Sequence, residues 1–101
     1  MKIQLLTSAY NDLLKGRLFY DKQTEHLGEY FFDTLFSDID SLVLYAGIHP
    51  KYFGYHRMLS SRFPYAIYYK VDSTGNIDVW RILDCRQDPD KTEKQLVDEI
   101  S

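Results

Sequence analysis

The sequence predicts an α+β sandwich: a helical hairpin packed on one face of a small, mainly antiparallel sheet, in the order β-α-α-β-β-β with a short C-terminal helix. Two changes of period carry this prediction. From Ser8 to Ala46 the apolar residues recur every three or four positions, as along one face of a helix. Beyond Pro50 they recur every second position, as along a half-buried strand. The third observation is size. The chain has 101 residues, of which 45% are hydrophobic and 16% aromatic, enough for one domain over 1–101 and too little for two.

Lys2 to Leu6 is short and apolar and reads as the first strand, with Thr7-Ser8 placed to cap a helix. The first helix runs from Ser8 to about Thr24. Ala9, Leu13, Gly16 and Tyr20 share one face, Tyr10, Leu14 and Leu18 form an adjoining stripe, and Asp12 is assigned to the first turn, where the helix dipole favours an anion. Gly16 costs a helix interior about 1 kcal/mol relative to Ala, so its natural use is the close approach of a second helix. His26-Leu27-Gly28 separates the two helices. The second helix carries Phe31, Phe32, Leu35, Phe36, Ile39, Leu42, Val43 and Ala46 and stops at Gly47. With so short a connection the two must pack antiparallel.

Strands follow at Tyr55 to Ser60, Tyr65 to Val71 and Ile77 to Cys85, the last two joined by the turn formers of 72–76. The final strand is partly apolar on both faces, which leaves its facing open. Phe31, Leu35, Ile39 and Leu42 are expected to pack against Ile67, Tyr69 and Val79. Asp88-Pro89 starts a last helix that can bury only Leu96, Val97 and Ile100, so it should be weakly docked or frayed. The sheet face opposite the hairpin should be aromatic, basic and partly open.

Composition narrows the function classes. No apolar run approaches the roughly 20 residues of a membrane span, and Met1 to Leu6 lacks a signal-peptide layout. The lone Cys85 cannot form an internal disulfide; a reducing, cytoplasmic setting is expected. Net charge is −3, but residues 50–86 carry six cations against three acids, while 1–49 carry four against seven. A basic middle suits an acidic partner, whereas a protein living on phosphate contacts would be basic overall.

Chemical motifs are sparse. His26, His49, His56 and Cys85 occur singly, without metal-site spacing, and no phosphate loop, dinucleotide fingerprint or nucleophile elbow is present, so neither metal nor cofactor is expected. Ser60-Ser61 suits a turn, and Asp38 and Asp40 point in different directions from their helix. What remains is a meander cluster of Arg57, Arg62, Tyr65, Tyr68, Arg81, Asp84 and Arg86. Such a set can stack bases and hold phosphates, or the arginines can simply lie over sheet tyrosines.

The stretch Arg62-Phe63-Pro64-Tyr65-Ala66-Ile67-Tyr68-Tyr69, followed by Leu83-Asp84-Cys85-Arg86-Gln87-Asp88-Pro89, resembles the RelE/ParE toxin superfamily, and most closely its ParE-like branch. Asp12-Leu13, Gly16, Phe19-Tyr20, Gln23, Leu27-Gly28 and Phe32 also fall where that branch carries similar residues. Two departures are Asp84, where many relatives have His before Cys-Arg, and the negative net charge. The resemblance implies a toxin of a type II toxin–antitoxin module, neutralised by a cognate antitoxin. RelE-like members cut mRNA on the ribosome; ParE-like members poison DNA gyrase. The RelE-like set has lysines on the second meander strand, an arginine after the Tyr of the third and a C-terminal tyrosine. Here those places hold His56 and Arg57, then Ala66, and no tyrosine follows Tyr69. The expectation is a gyrase-poisoning protein with no catalytic residues, no membrane contact and no direct grip on nucleic acid. Arg57, Arg62, Tyr65 and Arg86 are its candidate target contacts, and Tyr10, Leu14 and Leu18 its candidate antitoxin contacts. The alternatives are an mRNA endonuclease using His56 or Asp84, and a decayed toxin that still binds antitoxin.

Overall fold

Ile3, Gln4 and Leu5 form the first strand, β1, and lie parallel to Ile77, Asp78 and Val79 of the last. A parallel neighbour so distant in sequence needs a crossover, which the helical hairpin supplies. The computed structural model describes residues 2–100. After β1 (Ile3–Leu5) come α1 (Thr7–Gln23), α2 (Leu27–Asp40), α3 (Leu42–Tyr45), β2 (Lys51–Tyr52), β3 (Tyr55–Leu59), β4 (Tyr65–Val71), β5 (Ile77–Asp84) and α4 (Pro89–Ile100). The sheet order is β1-β5-β4-β3-β2, antiparallel except for the β1–β5 pair. No described helix is long and apolar enough to cross a membrane.

The hairpin buries the face expected of it. Ala9, Leu13, Phe31, Leu35, Ile39 and Leu42 are closed from solvent against Ile67, Tyr69, Ile77 and Val79. Gly16 permits the approach: a Cβ there would stand 2.5 Å from Cε2 and Cζ of Phe31. Gly28 does the same at the other end, where its N–H donates to Asp21 at 2.9 Å and a Cβ would meet the Arg17 carbonyl.

Several local expectations are corrected. Thr7-Ser8 does not cap α1: the N-cap is Leu6, without a side-chain bond, and Ser8 Oγ instead donates to the Trp80 carbonyl at 2.9 Å. Because α1 begins at Thr7, Asp12 lies beyond the first turn and is buried. The second helix is interrupted at Ser41, whose N–H is shared between the Ser37 and Asp38 carbonyls while its Oγ also donates to the Asp38 carbonyl, a competing local bond at the break. Beyond it Leu42 is buried, but Val43, Leu44 and Tyr45 are exposed. Gly47, with φ 92°, does end the helical run.

The mixed polarity of β5 has a definite cause. Register slips between Tyr68 and Tyr69, which face Arg81 and Val79, so Trp80 is an extra residue. A bulge changes the parity of alternation. Ile77 and Val79 therefore share the hairpin face with Ile82, while Leu83 and Trp80 join the opposite one.

That opposite face is less open than expected. Tyr55, Ala66, Tyr68 and Leu83 form a second core closed by Leu96 of α4, which is fully buried. Tyr55 Oη donates to the Leu96 carbonyl at 3.0 Å, so α4 is docked rather than frayed. Val97, expected to be buried, is exposed, and the Ile100 side chain lies outside the described residues. Asp88 caps α4 as expected, accepting the Asp90 N–H at 2.8 Å.

Candidate functional site

The meander residues that looked like one cluster in sequence are divided by the sheet. Tyr65 and Asp84 are direct partners across β4 and β5, so they share a face, at the edge of the hairpin core. Arg57 faces Tyr68 across β3 and β4, on the side that α4 partly covers. His56, next to Arg57 in sequence, necessarily points the other way and stacks on Tyr69 with centroids 5.1 Å apart.

At the hairpin-side end, Arg86 grips Asp84 through Nε at 3.0 Å and Nη2 at 2.8 Å, and its backbone N–H adds a third bond. The Arg86 hydrogen bonds hold the Asp84 carboxyl below its ordinary range, and the same pairing raises Arg86. Burial pushes the Tyr65 phenol up to about 12, with Asp84 adding to the rise. Burial likewise raises Tyr20, against the opposing pull of Arg86. Every shift in this group moves away from neutrality. The group offers fixed charge and fixed hydrogen bonds, not a proton that moves near pH 7. Tyr65 is itself buried among Tyr20 and Phe31, so only its edge toward the surface can meet a partner. Arg62 is exposed, with no hydrogen bond or ion pair among the described residues.

Arg81, grouped with these arginines in sequence, is tied elsewhere. Its Nε and Nη2 reach Asp12 at 2.8 and 3.0 Å, and the same carboxylate accepts the Ile82 N–H at 2.9 Å. This buried pair pins α1 to β5 and was missed from sequence. The signal was present: Asp12 falls between Ala9, Leu13 and Gly16 in the buried stripe, where a carboxylate needs a partner. Asp38 is a second unforeseen anchor, accepting Ser60 Oγ at 2.6 Å and the Ser61 N–H at 3.1 Å. Those serines lie in the loop that joins β3 to β4. His49 and His56 brace another loop. Tyr69 Oη bonds to His49 Nδ1 and accepts the Gly47 N–H at 2.9 Å, and His56 Nδ1 donates to the His49 carbonyl at 2.7 Å. Among the described residues no group of three His, Cys, Asp or Glu could hold a metal ion.

The stripe Tyr10, Leu14 and Leu18 is outside the core, at 44%, 37% and 62% exposure. Phe32 of α2 lies alongside, edge-on to Tyr10 at 6.5 Å and beneath the Arg17 guanidinium at 5.1 Å. The result is an apolar strip along the outer seam of the hairpin, a feature that marks partner surfaces.

A helical hairpin crossing over a mainly antiparallel sheet, with a capped helix on the far face, defines an α+β sandwich. Its particular arrangement is the RelE/ParE fold. A solved structure described as the chromosomal ParDE TA system from P. aeruginosa matches with a TM-score of 0.72 at 16% identity, over 81% of this chain and 92% of that one. Neither a protein-family model nor a curated protein sequence matches the chain.

Proposed function

We propose that this chain is a ParE-like toxin of a type II toxin–antitoxin module, working in the bacterial cytoplasm, where it binds and poisons DNA gyrase until a cognate antitoxin covers it. The observation that carries the reading is the likeness of fold to a chain of a ParDE system over most of both chains. The site supports a binding rather than a cutting role. His56 lies on the opposite face from Arg57, and Asp84 is committed to Arg86, so neither candidate acid or base of the nuclease alternative stands beside a free cation. The hairpin strip of Tyr10, Leu14 and Leu18 is the surface offered to the antitoxin.

Controlled expression followed by two readouts tests this. Growth arrest with stabilised gyrase–DNA cleavage complexes from purified protein is the expected result. Growth arrest with cut transcripts and intact gyrase turnover would replace it with the mRNA endonuclease. A chain that harms nothing but binds its antitoxin would be the decayed toxin.

A further inference from the structure

The β2–β3 hairpin turns through Phe53 and Gly54, with Tyr52 opposite Tyr55. Both turn residues have positive φ, 53° and 87°, as a type I′ turn demands and as Asn-Gly supplies without strain. A bulky aromatic in that conformation crowds its own backbone. Core packing does not demand it, since Phe53 is 44% exposed and belongs to neither core cluster. Strain of this kind gathers where a ligand is held.

Phe53 completes a wall. With Tyr52, Tyr68 and Pro89 it lines a cavity of about 260 Å³ beside the start of α4, on the face away from the hairpin strip. Arg57 lies within it, its guanidinium 5.0 Å over the Tyr52 ring, Nε 3.3 Å from Tyr68 Oη and Nη2 3.6 Å from Cys85 Sγ. Unlike Arg81 and Arg86, it has no carboxylate partner among the described residues. A half-buried guanidinium among rings, without an anion, is electrostatically incomplete.

We propose that this cavity is an anchor pocket for an acidic segment of a protein partner, taking one aromatic side chain between Tyr52, Phe53 and Tyr68 while a neighbouring carboxylate pairs with Arg57. Resting on the toxin reading, this names the chemistry of what the toxin grips. The volume falls just under the roughly 300–1,000 Å³ of pockets for whole small molecules and suits a single side chain. One cation in an aromatic wall matches a carboxylate next to a ring; a nucleic-acid backbone would call for a row of cations, which this lining lacks.

The test is an NMR titration of the full isotope-labelled chain with acetyl-Glu-Phe-Asp-amide, its neutral counterpart acetyl-Gln-Phe-Asn-amide, and a 5′-phosphorylated dinucleotide. Saturable shifts at Tyr52, Phe53, Arg57 and Cys85 are expected with the acidic peptide, weakened about tenfold by neutralising the peptide or by Arg57→Gln, as for loss of a charge-assisted bond. Phe53→Asn should raise the melting temperature yet weaken the peptide, a combination that a merely structural Phe53 would not give. Absence of saturable shifts, equal binding of the neutral peptide, tighter binding of the dinucleotide, or destabilisation by Phe53→Asn would overturn the proposal. Because binding is read without cells, a chain that takes the peptide but arrests no growth supports the pocket and removes only the toxin reading.

Discussion

Replacing Gly16 with Ala sets two well-separated effects against each other. Helix propensity alone says that the change stabilises α1 by about 1 kcal/mol. The packing says the reverse, because the new Cβ would lie 2.5 Å from two ring atoms of Phe31. A ring edge can sometimes swing away, but this one is penned by Tyr20, Phe63 and Tyr65, with centroids 5.1, 5.1 and 4.9 Å distant. Overpacking a filled core costs about 1–3 kcal/mol, so the net effect of Gly16→Ala should be a loss of up to about 2 kcal/mol. In a domain of this size each kcal/mol moves the melting temperature by about 4–8 °C. Urea titrations of Gly16→Ala, Phe31→Leu and the double variant should show the pair to be less damaging than the sum of the singles, with a coupling of about 1 kcal/mol or more. Stabilisation by Gly16→Ala, or strict additivity, would refute the close contact.

Asp12→Ala should destabilise by about 3–5 kcal/mol in the same titration, because it leaves the largely buried Arg81 without its carboxylate. Arg86→Ala removes a partly exposed pair worth under about 1 kcal/mol; if Arg86 meets the target, growth inhibition should vanish while thermal stability scarcely moves. Charged residues at Leu14 and Leu18 should weaken the antitoxin complex, measured by titration calorimetry, with the circular dichroism melt unchanged. Burial and then the neighbouring His56 lower the His49 pKa, so the folded state prefers neutral His49. Its contribution is therefore complete above the ordinary histidine value of about 6.5 and is lost as pH falls through the lower folded value. Stability should drop on that acid side, and His49→Phe should flatten the slope.

What sequence reading recovered depended on whether one period governed a segment. Phe31, Leu35, Ile39 and Leu42 follow the helical period without interruption, and all four are in the core where expected. β5 was legible as a strand but not in its facing, since the extra residue Trp80 reverses the alternation, and a bulge leaves no mark in a list of apolar residues. Ser41 reads as an ordinary helical position; only its bonds to the Asp38 carbonyl reveal the break. The two-residue strand β2 carries too few residues to show a period, and so the aromatic wall of Tyr52 and Phe53 went unread. The arginines were found as residues but not as groups, because partners such as Asp12 and Arg81 lie 69 positions apart.

The parallel pairing of β1 with β5 has a consequence for how the chain is made. The Lys2 N–H bonds the Asn76 side chain, the Lys2 carbonyl accepts the Ile77 N–H, and the Leu6 N–H bonds the Val79 carbonyl. At translation speeds of about 5–20 residues per second, the first strand waits roughly 4–15 s for its neighbour to be synthesised. During that interval the hairpin can form by local contacts, but its inner face lacks the completed sheet that covers it in the finished fold, and the closure that ends the wait spans most of the chain. Newborn chains thus show apolar surface on both sides of the hairpin, and a binder present during synthesis meets a different molecule from the one that meets the finished fold.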